Sequence, residues 1–76
     1  MSDADIRKEL LDAIRNLAAT APQMRVGQVL AAVGELCTDM HGRGLWEAED
    51  RELLEAVWRF QRDLQRSAAA AVQPNA

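Results

Sequence analysis

One stretch of the sequence, LWEAEDRELL at residues 45–54, indicates how the chain is organised. It places a large aromatic residue in a connection and then supplies the acidic start of a helix. Apolar residues spaced by four, three and four follow on one helical face. They are Leu53, Val57, Phe60 and Leu64. The stretch therefore predicts a helix from about Glu49 to Arg66. Its cap is either Asp50, by chemistry, or Glu49 with Glu52, by capping-box spacing.

An earlier amphipathic window predicts a first helix from about Ser2 to Thr20. The Ser2 hydroxyl can accept a hydrogen bond from the backbone three residues on, and Asp5 occupies the acid position of a capping box. Pro22 disfavours helical geometry in the residue before it, so this helix should stop near Thr20. The apolar residues between these signals form one stripe: Ile6, Leu10, Ala13, Ile14 and Leu17.

The middle window predicts a second helix from about Gln23 to Met40. One face is apolar and includes Cys37, which is therefore predicted to be buried; the face consists of Val26, Val29, Leu30, Val33, Leu36, Cys37 and Met40. A flank of small residues runs beside it: Gly27, Ala31, Gly34 and Thr38. Glycine weakens a helix interior, so two glycines on one flank indicate a close neighbour. That neighbour is either another helix of the same chain or a second subunit or partner helix.

These three windows predict an all-α fold, a small antiparallel three-helix bundle with a frayed C-terminal tail. The predicted domains are a single helical domain over residues 1–66 and an Ala-rich flexible tail over residues 67–76. A chain of 76 residues buries only about 60% of its unfolded surface, so its stability should be marginal without staples or partners.

Composition argues against several classes of protein. The single cysteine cannot form an intramolecular disulfide, which favours a reducing cytoplasm. One Cys and one His do not make a usual structural metal site, and we expect no cofactor or small-molecule substrate. The acidic start lacks a signal-peptide pattern, and no apolar run approaches the ~20 residues of a membrane span. The net charge of −3 argues against nucleic acid as the main partner.

Two segments carry a resemblance to known sequences. MRVGQVL at residues 24–30 and WEAEDRELL at residues 46–54 resemble a loose family of small uncharacterised bacterial proteins. That family pairs an Arg-x-Gly-Gln-x-Leu segment with an aromatic residue and a Glu-Asp-x-Glu-Leu-Leu segment. The resemblance covers about residues 22–60 and implies a bacterial source but little about function. An aromatic-rich segment is common before the acidic pair in the family, whereas Trp46 is the only aromatic residue there in this chain.

Three residues outside the predicted third helix are candidates for binding a partner. Arg25 and Gln28 either have a capping and positioning role, with bonds to the backbone of the 42–46 connection or to the Glu49–Asp50 pair, or contact a partner directly. Trp46 is predicted to pack onto the bundle, because a tryptophan can bury up to ~250 Å² and so small a bundle needs that area. An exposed Trp46 would instead be a partner anchor.

Further candidates lie on the predicted third helix, where Leu54, Trp58 and Gln61 form a second strip beside the core stripe and continue to Gln65. Either this strip completes the core or it binds a partner, and tryptophan is enriched at interface hot spots. We favour an interface, because a short chain gains stability by associating. The simplest assembly is a two-fold dimer in which the strip meets its own copy.

The function expected from these features is a non-catalytic helical protein–protein interaction module, an adaptor or accessory subunit that binds a protein partner or a second copy. No catalytic pair is evident, since His41 has no nucleophile beside it in sequence, and we interpret it as a surface residue of the connection. The alternative is a helix-turn-helix-like DNA-binding regulator, with positive charge supplied by Arg51, Arg59, Arg62 and Arg66. Acids at the start of the third helix and a long glycine-flanked connection argue against that alternative.

Overall fold

The computed structural model describes residues 2–72, and its side chains through residue 67. That part of the chain consists of three α-helices and contains no strand. Helix α1 spans Asp3–Thr20, α2 spans Val26–His41 and α3 spans Asp50–Val72. The predicted all-α three-helix bundle is thereby confirmed.

Two helix boundaries differ by more than one residue from those predicted. Helix α2 begins three residues later than expected, so Val26 is its first residue and is exposed instead of lying in the core. Helix α3 continues six residues beyond Arg66, because the alanines that follow are strong helix formers. Residues 67–72 of the predicted flexible tail are therefore helical. The last four residues of that tail lie outside the described part of the chain.

The start of α1 is a capping box, as predicted. The Ser2 hydroxyl accepts a hydrogen bond from the Asp5 amide at 3.2 Å, and the Asp5 carboxylate accepts one from the Ser2 amide at 3.2 Å. At the start of α3 the Glu52 carboxylate accepts from the Glu49 amide at 2.9 Å. Box spacing, not the chemistry of Asp50, therefore determines where α3 begins. Helix α2 ends at Gly42, whose φ of 76° lies in the left-handed region that glycine adopts without strain.

The helices run up, down and up. Arg7 near the start of α1 contacts Asp50 at the start of α3, with 3.4 Å between Nε and Oδ2, so these two helices begin at the same end. His41 at the end of α2 reaches Glu55 in the second turn of α3, with 2.9 Å between Nε2 and Oε1. Helix α2 is therefore antiparallel to both neighbours. Helix α3 packs against α1 and α2, which contact each other only slightly.

The core lies between α3 and the other two helices. Its buried members are Ile6, Leu10, Ala13, Leu17, Val29, Val33, Cys37, Leu54, Ala56 and Val57. The burial of Cys37 confirms the prediction for α2. The stripe predicted for α3 is correct for Val57, but Leu53, Phe60 and Leu64 are only partly buried. Because α3 packs against helices on two sides, its buried arc is wide and includes residues that one apolar stripe leaves out.

The small-residue flank of α2 lies beneath the α2–α3 connection over half its length. A Cβ at Gly34 would lie 2.7 Å from Cγ of Leu45, so the Leu45 side chain covers the glycine directly. The Thr38 hydroxyl donates to the Gly34 carbonyl at 3.0 Å and lies close to Gly44. At Gly34 the close neighbour is thus a loop of the same chain, whereas a helix of the same chain or a second subunit or partner helix was expected. At Gly27 the flank is open, since no heavy atom lies within 4 Å of an added Cβ.

Candidate partner-binding surface

The candidate residues do not form one site. Arg25 and Gln28 lie at the start of α2, whereas Trp46 follows its end. A helix of 16 residues is about 24 Å long, so these groups lie at opposite ends of the bundle. Leu54, Trp58 and Gln61 belong to α3.

Arg25 and Gln28 interact with each other at the start of α2. The Gln28 side-chain oxygen accepts a hydrogen bond from the Arg25 amide at 2.8 Å, which satisfies one of the four unpaired donors of the helix start. A capping role was among the expectations, but the predicted bonds to the 42–46 connection and to Glu49–Asp50 were wrong. Those segments lie near the other end of α2. Both side chains are exposed, so a partner contact remains a prediction.

Leu54 belongs to the core and not to an exposed strip. It is 4% exposed, so the part of the prediction that made it a surface residue beside Trp58 was wrong. Leu54 lines a groove together with Ile6 and Glu9 of α1, so it lies on the side of α3 against which α1 packs. Gln61 is half-buried. Of the predicted strip, only Trp58 and Gln65 are exposed.

Trp58 stands between two shallow grooves, and 49% of its surface is exposed. The first groove lies between α1 and α3 and is lined by Ile6, Glu9, Arg51, Leu54, Glu55 and Trp58. The second lies between the end of α2 and α3 and is lined by Met40, His41, Glu55, Trp58, Arg59 and Arg62. The half-exposed indole therefore separates two unlike grooves. Ile6 and Leu54 make the first one partly apolar. The second is lined mainly by charged and polar side chains, with Met40 as its apolar member besides Trp58.

Glu9 adds an unpaired acceptor to the wall of the first groove. Its Oε2 atom is buried, and no described residue donates a hydrogen bond to it. Buried polar atoms are normally paired, so an unpaired acceptor beside an exposed tryptophan distinguishes this groove from an ordinary surface.

Trp46 is 96% exposed, and the prediction that it packs onto the bundle was wrong. The reason lies one residue earlier, where Leu45 occupies the space above Gly34. The backbone then turns, with the Glu47 and Ala48 amides both donating to the Gly44 carbonyl. This turn leaves the indole of Trp46 in solvent. Trp46 is thus exposed, as a partner anchor would be, and a partner contact through it remains a prediction.

A charged cluster ties the end of α2 to the start of α3. His41 lies 2.9 Å from Glu55 and 4.0 Å from Glu52, and Arg43 lies 3.4 Å from Glu52. His41 is the last residue of α2 and is partly buried, so its predicted place on the surface of the connection was wrong. Sequence spacing gives no signal for this cluster, because its members come from two helices and the connection between them.

Comparison with protein-family models, curated proteins and solved structures gives no match to this chain. Within residues 2–72, no helix combines the length and apolar character needed to cross a membrane. The same residues contain no group of three or more His, Cys, Asp or Glu side chains arranged to hold a metal ion.

Proposed function

We propose that this chain is a non-catalytic helical module that binds a protein, as an adaptor or accessory subunit. The observation that carries the proposal is the almost complete exposure of Trp46, together with the half-exposure of Trp58. The chain has three aromatic residues, and these are two of them. A tryptophan can bury up to ~250 Å². Placing that area in solvent on so small a domain favours an interface, where tryptophan is enriched among hot-spot residues.

The surroundings of Cys37 and His41, the two side chains best suited to nucleophilic or acid–base catalysis, support a non-catalytic role. Burial raises the pKa of the Cys37 thiol, and the nearby Glu52 carboxylate raises it further. A buried thiol with a raised pKa is a poor nucleophile. His41 faces the Glu52 and Glu55 carboxylates on α3, and none of the described hydrogen bonds joins it to a hydroxyl or thiol that it could activate.

An affinity capture from the native host tests this proposal. The immobilised chain is compared with Trp46→Gln and Trp58→Gln, and with Leu11→Gln as a control, since Leu11 is an exposed leucine on α1. We expect the wild type and the control to retain the same protein. Replacing a hot-spot tryptophan typically costs at least about 2 kcal/mol, so at least one tryptophan variant should retain roughly 30-fold less.

Two results contradict the proposal. One is that all four baits retain the same proteins in the same amounts, which would show that neither tryptophan contributes to binding a partner. The other is a salt-dependent shift of duplex DNA by the wild type, which would favour the DNA-binding alternative. The acidic start of α3 is at odds with that alternative, because base-reading residues lie at the start of a recognition helix.

A further inference from the structure

The outward side of α3 carries a continuous exposed row that the apolar pattern does not reveal. Its members, called here the α3 outer row, are Arg51, Glu55, Trp58, Arg62 and Gln65. They recur at spacings of four, three, four and three, so they lie along one face of the helix. All five are exposed. Trp58 is at the centre, seven residues from each end.

We infer that the partner of this row is a second copy of the chain, with the two α3 helices antiparallel and crossing at Trp58. The inference rests on the proposed function, because it names the partner of one of its two tryptophans. The antiparallel arrangement follows from the order of charges along the row. A two-fold interface brings one patch against itself, so the patch must be complementary to its own reversed copy.

The charges satisfy that condition only when the helices are antiparallel. At 1.5 Å per residue, Glu55 lies about 4.5 Å before Trp58 and Arg62 about 6 Å after it. In an antiparallel pair centred on Trp58, each Glu55 therefore faces the Arg62 of the other copy, with an offset of about 1.5 Å. Arg51 and Gln65, both about 10.5 Å from the centre, face each other without repulsion. A parallel pair would oppose like charges at Glu55 and at Arg62.

The required groups are available in the single chain. Arg62 forms no ion pair with any described residue, whereas the neighbouring Arg59 is paired with Asp63 at 3.8 Å. Glu55 uses Oε1 to contact His41, and none of the described hydrogen bonds or ion pairs uses its Oε2. Trp58 borders the groove between α1 and α3, where Ile6 and Leu54 give the indole of a second copy an apolar surface to pack against.

Charge reversal separates this arrangement from other assemblies. In Glu55→Arg, both members of each intermolecular pair are positive, and in Arg62→Glu both are negative. Each variant should dimerise at least about tenfold more weakly than the wild type, since a two-fold interface repeats every like-charge contact. An equimolar mixture of the two variants should form a heterodimer, because both pairs are then of opposite charge. The double variant should recover dimerisation by itself.

Sedimentation of the wild type, the single variants, their mixture and the double variant tests the inference. Glu35→Arg and Lys8→Glu are the controls, because they make the same charge changes at exposed positions outside the row and should leave dimerisation unchanged. Circular dichroism of each variant shows that it is folded. Dimerisation in the mixture and in the double variant, but not in either single variant, supports the antiparallel arrangement.

Two results overturn the inference. A wild type that remains monomeric up to about 300 µM excludes the second copy as partner. The proposed function then stands or falls separately on the capture experiment with the tryptophan variants. A wild type that dimerises, with a mixture of single variants that does not, shows that the two copies meet through another face or in another register.

Discussion

Gly34→Ala should lower the stability of the folded chain, although the same change normally stabilises a helix. Alanine is better than glycine in a helix interior by about 1 kcal/mol. At this position, however, the new methyl group would lie 2.7 Å from Cγ and 3.2 Å from Cδ1 of Leu45. Overpacking of this kind costs about 1–3 kcal/mol. Since Leu45 is partly exposed and can shift, we expect a net loss of about 1 kcal/mol.

The sign of the effect should reverse when Leu45 is removed. In a Leu45→Ala background the added methyl group meets no clash, and Gly34→Ala should stabilise by about 1 kcal/mol. The coupling free energy between the two positions is then about 2 kcal/mol, well above the departure from additivity that independent substitutions show. Urea denaturation measures it, because a change of 1 kcal/mol shifts the midpoint by about 1 M for a domain with a small m-value. Gly27→Ala is the matched control, since it meets open space and should not depend on Leu45.

Equal stabilisation by Gly34→Ala in both backgrounds would refute this reasoning. It would mean that Leu45 does not rest on Gly34, and that the path of the α2–α3 connection differs from the one described. The exposure of Trp46 depends on that path, so the cycle also tests the geometry behind the proposed function.

Three other predictions concern side chains whose surroundings differ sharply. Trp46→Ala should change the free energy of unfolding by no more than about 0.5 kcal/mol, because an exposed side chain loses no packing. Thermal denaturation measures the effect, and a fall of several degrees in the melting temperature would show that the indole is buried. Native Cys37 should react with a thiol reagent far more slowly than in urea, because burial raises its pKa and blocks access; equal rates would contradict its place in the core. Gln28→Ala should cost about 0.5–1 kcal/mol in urea denaturation by leaving the Arg25 amide unpaired, and an unchanged midpoint would exclude the cap.

The helices and the box-type starts of α1 and α3 could be predicted from sequence, because those signals are local. Ser2 and Asp5 are three residues apart, as are Glu49 and Glu52, and each pair closes within one turn. Burial on α3 was less predictable, since Leu54 lies outside the regular apolar stripe and is buried only because a second helix packs on that side.

The surface was hardest to predict because it depends on the connection. Leu45 and Trp46 are adjacent and both apolar, and sequence does not show which of them packs on α2. The space above Gly34 holds one side chain, and Leu45 fills it, so Trp46 is left in solvent. Which residue reaches that space depends on how the loop turns at Gly44. The pairing of His41 with Glu55 likewise joins residues on different helices.

The slight contact between α1 and α2 has a consequence for how related sequences should diverge. A change of side-chain volume on the inner face of α1 alters the fit against α3 and leaves α2 largely unaffected. Compensating substitutions should therefore arise in pairs that join α1 to α3 or α2 to α3, and seldom in pairs that join α1 to α2. Substitutions in the outer helices should accumulate almost independently of one another, while α3, which must fit both, should change most slowly.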